Sequence, residues 1–172
     1  MTIALRDPPD LARQTALRIR AWGYCGNAGR VEATFPATLA FPRAIRPLTG
    51  ILCRPVAGTG VTLCARAEVL DVGVSPATPW GEVWGTRLRR PITGLALWLE
   101  GAEAGRWRLD WACCFRFLGH SDPAGPGAWR TGLHGKDPLI ALRISLSPLE
   151  TDGRAGDPAA PPPTATHPED AR

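Results

Sequence analysis

Three segments of this chain share one outline, and an outline repeated at a fixed length constrains a fold more than any local motif does. The first segment opens on Leu17-Arg18-Ile19-Arg20-Ala21-Trp22, the second on Leu63-Cys64-Ala65-Arg66-Ala67-Glu68-Val69, and the third on Leu109-Asp110-Trp111-Ala112-Cys113-Cys114-Phe115. The openings start 46 residues apart both times. Each segment closes on a proline (Pro47, Pro91, Pro138) followed by an apolar run such as Ile92-Thr93-Gly94-Leu95-Ala96-Leu97. A period of this size means one supersecondary unit used three times.

The opening runs alternate. Leu17, Ile19 and Ala21 fall on one side and Arg18, Arg20 and Trp22 on the other; Val61, Leu63, Ala65, Ala67 and Val69 oppose Cys64, Arg66 and Glu68. Period two is the mark of a half-buried strand in an antiparallel sheet. The closing runs are more continuously apolar and read as central strands. Between them lie Gly/Pro-rich stretches that hold Phe35 and Phe41, then Trp80 and Trp84, then Trp129. With 19 Gly and 18 Pro among 172 residues, long helices are disfavoured and turns are frequent. The expected fold is therefore all-β, with nine to twelve short strands in three ~45-residue repeats spanning about 15–58, 61–101 and 107–148. Closure around a pseudo-threefold axis, β-prism-like with a β-trefoil as the close alternative, would leave few free edges.

The same reading divides the chain into a lead-in over 1–14, where Asp10 can cap a short helical turn, the repeat body over 15–150, and a Pro/Ala-rich tail over 151–172. The tail lacks Leu, Ile, Val and aromatic residues, so it reads as disordered. The net charge is +4, and the tail's two arginines and four acids make the rest of the chain more basic still. Nineteen of the twenty basic residues are Arg, which reads as the base composition of a GC-rich, bacterial genome. Met1 to Gln14 has no apolar signal core, so a cytoplasmic location is expected, with export by a route other than Sec left open. No apolar run is long enough for a membrane helix. Five cysteines without a CxxC pair, and three histidines without zinc spacing, point to buried thiols and to no metal or other cofactor.

The second copy carries a further likeness. It runs from Ala65-Arg66-Ala67-Glu68-Val69-Leu70-Asp71-Val72-Gly73 through Trp80-Gly81-Glu82-Val83-Trp84-Gly85-Thr86 to Ile92-Thr93-Gly94-Leu95-Ala96-Leu97-Trp98-Leu99-Glu100. This order resembles the hydrophobic-W repeats of clostridial surface proteins. Those pass from an alternating strand through a Gly-Trp element and a Gly-Thr turn to a closing Gly-Leu-x-Leu-Glu-like strand. Copies one and three keep both strands; copy one has no tryptophan in its middle, and neither has the Gly-Thr turn. The resemblance implies a non-catalytic module for adhesion or carbohydrate contact. The missing signal peptide departs from that family's surface location.

Seven tryptophans supply the candidate site. Trp98 and Trp111 lie within apolar strands and are expected in the core. Trp80, Trp84 and Trp129 lie in the loop-rich middles, where an indole face can stack on a sugar ring with Glu82, Arg87, Asp122 or Arg130 as hydrogen-bonding neighbours. The expected function is thus a non-enzymatic, lectin-like module. A structural protein assembling with other chains is the alternative. A third reading places an anion at Arg46, Arg89, Arg90 and Lys136, which precede the closing prolines and which threefold closure would gather at one end. Nucleic acid is a poor fit, since Arg87, Arg89 and Arg90 have no interleaved aromatic platform. Catalysis has little support. No two of Glu82, Asp110, Asp122 and Asp137 are paired by the sequence as a glycosidase requires. Cys25, in an exposed-looking Trp-Gly-Tyr-Cys-Gly-Asn context, can be matched with His120 or His134 only in principle.

Overall fold

The computed structural model describes residues 17–42, 45–56, 60–86 and 88–149. The lead-in, for which a helical turn is expected, the tail and Arg87 lie outside them. The fold is all-β, with thirteen described strands and only single turns of 3-10 helix. In chain order these are β1 (Ile19–Tyr24), β2 (Arg30–Phe35), β3 (Leu39–Ala40), β4 (Gly50–Pro55), β5 (Thr62–Val69), β6 (Gly73–Val74), β7 (Thr78–Pro79), β8 (Val83–Gly85), β9 (Ile92–Glu100), β10 (Trp107–Phe115), β11 (Gly119–His120), β12 (Trp129–Thr131) and β13 (Leu139–Pro148).

Three antiparallel sheets result, in the orders β2-β1-β4-β8, β11-β10-β13-β3 and β12-β9-β5-β6, with β7 also on β5. Each is built on one long pair, β1 with β4, β5 with β9, or β10 with β13. The closing strand lies inside its sheet each time, with a hydrogen-bonded neighbour on both edges. Its outer neighbour always comes from a different segment: β8 pairs with β4, β12 with β9 and β3 with β13. The closing strands also begin side by side, because Leu48 N donates to Leu139 O at 2.7 Å and Ile92 N to Leu48 O at 2.9 Å.

Alternation decides the core. Ile19 and Ala21, Leu63 with Ala65 and Ala67, and Leu109 with Trp111 and Cys113 all face inward and are buried. Ile51, Leu95, Leu97, Leu142, Ile144 and Leu146 join them from the closing strands in one continuous cluster. Directly opposed residues share a face, so the pairing of Trp84 with Ile51 and of Leu39 with Leu142 turns both side chains into that cluster.

Candidate functional site

The outward face of the β12-β9-β5-β6 sheet carries a groove of about 750 Å³. Its floor is Ala96, flanked across the sheet by Arg66 on β5 and Trp129 on β12, which pair with it on either side. Two strand spacings put those flanks about 10 Å apart at the backbone. Trp98 and Glu100, two and four residues along β9, form one end, and Val74 and Ala77 the rim beyond β5. Alternation puts Ala96, Trp98 and Glu100 outward while Leu95 and Leu97 face the core.

Each wall is held by the backbone. The turn before β12 is pinned to β9 by Gly127 N donating to Leu97 O at 2.7 Å. The Trp129 indole lies over Gly94: a Cβ there would meet Trp129 Cζ2 at 2.9 Å and Glu68 Oε2 at 2.8 Å. Trp98 Nε1 donates to Glu100 Oε1 at 2.7 Å, which fixes the indole, and the Cys64 thiol hydrogen-bonds the same carboxylate. On β1 and β2 the comparable group is closed. There Trp22 Nε1 and Arg20 Nε both donate to Glu32, at 2.9 and 2.8 Å. In the groove Glu100 serves Trp98, and Arg66 makes no hydrogen bond or ion pair among the described residues.

The sequence-expected residues separate. Only Trp129, 38% exposed, lines the groove. Trp84 is fully buried, with Nε1 donating to Pro79 O at 3.3 Å, so its ring presents no face to a ligand. Trp80 packs against the core, partly buried, its N donating to Leu63 O. Glu82 and Asp122 are exposed outside the groove, and Arg87 lies outside the described residues. Arg130 pairs with Leu95 and therefore points away from Trp129, toward the interior. Its Nε is buried without a hydrogen-bond partner. Trp98, expected in the core, stands on the groove instead, while Trp111 is buried as expected, its Nε1 donating to Gly125 O. The signal for Trp98 was parity: it shares the outward phase of Glu100, although the run around it is apolar.

No protein-family model, curated protein or solved structure matches this chain.

The residues of the anion reading are partly committed elsewhere. Arg90 Nη1 donates to Asp71 O at 3.2 Å and lies 3.7 Å from the Asp71 carboxylate. Arg46 acts on the Cys25 thiol, Arg89 lies against Gly26, and Lys136 is exposed. Asp137 occupies the position before Pro138 that Arg90 holds before Pro91. Its buried carboxylate accepts from Phe117 N and Leu118 N at 2.9 and 2.7 Å.

The thiols are poor nucleophiles. Burial raises all five, the largest cause in each case, and takes Cys64 and Cys113 to about 11. Cys25, exposed-looking in the sequence, is buried, and burial outweighs the opposing charge of Arg46. Among the described residues no three His, Cys, Asp or Glu side chains come together as a metal site. No helix among them is long and apolar enough to cross a membrane.

Proposed function

We propose that this protein is a non-catalytic carbohydrate-binding module that holds its ligand in the groove over Ala96. The observation that carries the reading is the convergence of two partly exposed indoles, Trp98 and Trp129, on one concave surface with a carboxylate and an unpaired guanidinium. Apolar aromatic faces supply contact area, and a few placed polar groups orient the ligand. A pyranose ring has this mixed character: its C–H face lies on an indole while its hydroxyls meet Glu100 and Arg66. The likeness to hydrophobic-W repeats favours the same class of function.

The architecture belongs to the proposal. Three sheets, each completed by a strand from another segment in the order three-to-two, two-to-one, one-to-three, favour three copies of one unit about a pseudo-threefold axis. Their separation into distinct sheets favours a prism over a trefoil. In that reading the groove belongs to one copy alone. Where copy two presents Arg66, Ala96 and Trp98, copy one presents Trp22, Leu52 and Arg54, and copy three Ala112, Arg143 and Ser145.

A glycan array probed with the intact chain tests the site. Trp129→Ala and Trp98→Ala should each weaken binding at least tenfold, while Trp80→Ala, outside the groove, should leave it unchanged. Binding that survives loss of both groove indoles would remove the site; an array without any bound sugar would remove the function.

A further inference from the structure

The end of the molecule where the closing strands begin gathers several connections of the chain. Three facts place its parts together. Leu48, Ile92 and Leu139 are joined by backbone hydrogen bonds. The turn after β5 is held there by Leu70 N donating to Pro91 O and by Arg90 on the carbonyls of Leu70 and Asp71. The turn after β10 is held by Arg116 N donating to Pro138 O and by the amides of Phe117 and Leu118 on Asp137.

On this end stand Ile45, Val72, Leu88, Phe117, Leu118 and Leu133, each between 44% and 70% exposed. They are six of the ten exposed large apolar side chains of the described residues. Single exposed leucines are ordinary; a group gathered at one end marks an interaction surface. Cations are interleaved with them: Arg46 follows Ile45, Arg89 follows Leu88, Arg116 precedes Phe117, and Lys136 lies three residues past Leu133. The Arg116 guanidinium sits 5.4 Å from the centre of the Phe117 ring. Of the acids nearby, Asp71 pairs with Arg90 and Asp137 is buried on two amides, while Glu68 is half-buried against Gly94 and Gly135.

We propose that this end docks on the surface of an anionic lipid bilayer, with the apolar side chains entering the headgroup boundary and the cations meeting lipid phosphates and carboxylates. The interleaving is what such an interface requires. Ile45, Leu88 and Phe117 each have a cation on a long stem next to them in the chain, and such a stem can keep its charge among headgroups while the tip inserts. A second copy of the chain is a poor occupant, because apposing two such ends brings like charges together. The surface shares no residue with the lining of the groove over Ala96.

Co-sedimentation of the full chain with vesicles tests the proposal, comparing pure phosphatidylcholine with phosphatidylcholine containing phosphatidylserine. Binding is expected to the anionic vesicles and to weaken as salt rises. Arg116→Gln and Lys136→Gln should each weaken it about fivefold, the effect of ~1 kcal/mol per surface cation. Phe117→Asp, and independently Leu88→Asp on another connection, should abolish it while the circular dichroism spectrum is retained. Absence of binding to anionic vesicles overturns the proposal. Binding indifferent to both aspartate variants overturns the insertion of apolar side chains. A dimer in solution that Phe117→Asp dissociates assigns the end to a copy-to-copy contact instead.

Discussion

Trp84, Leu39 and Arg130 each lie on a short strand donated from another segment, opposite an inward residue of the closing strand. Two of them are core side chains. The third brings a guanidinium whose Nε has no partner. A buried donor left unbonded costs stability that an apolar side chain of similar reach does not. Arg130→Leu should therefore stabilise the protein by about 1 kcal/mol, seen as a higher urea midpoint at unchanged slope. A lower midpoint would mean the guanidinium is bonded in solution. Asp137 shows the opposite case, a buried charge kept because two backbone amides satisfy it. None of this was legible from residue type. Arg130 beside Trp129 reads as part of one site until register sends the two side chains to opposite faces.

The donated strands are short, so their seats must be well fitted. β8 lies on β4 through three residue pairs, and Thr86 N continues the contact onto Thr49 O at 2.7 Å. This approach requires Gly50, where a Cβ would stand 2.4 Å from the Thr86 carbonyl oxygen and 3.0 Å from its carbon. The obstructing atoms are backbone, so they cannot swing aside. Gly50→Ala should lift β8 from β4 and cost on the order of 1–3 kcal/mol. The emission of Trp84, buried on that strand, should shift to the red as water reaches it. An unchanged spectrum and midpoint would show that β8 is not needed to shield the core. At this scale the sequence was informative. Alternation in the opening runs predicted which side chains face inward, and the apolar closing runs predicted central strands. A short strand also formed at Val83–Gly85, but the destination of its pairing lies 31 to 35 residues back along the chain at Leu52–Gly50.

Because each sheet takes a strand from another segment, the three sheets share one core and should unfold together. That core also buries Cys53 and Cys113, and Cys64 is buried on the outward face of β5, which couples stability to alkaline pH. An unfolded thiol ionises near 9, whereas Cys64 and Cys113 hold their protons to about 11, and Cys53, wholly buried, is raised as well. Below pH 9 both states keep these protons and the thiols make no difference. From pH 9 toward 11 the unfolded chain releases protons that the folded chain retains, so stability falls as pH rises. The urea midpoint should be level between about pH 7 and 8.5 and decline toward about pH 10.5, less steeply in Cys53→Ala. A midpoint level to pH 10.5 would mean the thiols are accessible in the folded state. Taken as a whole, the chain's own pattern determined an all-β body and the inward phase of its strands, because alternation and turn chemistry act between near neighbours. Only the tertiary structure decided that Trp98 joins Trp129 across Ala96, that Trp84 is core, and that six apolar side chains meet among cations at one end. Those outcomes depend on which distant strand pairs with which, and in which register, and a shift of one residue in a pairing moves every side chain to the opposite face.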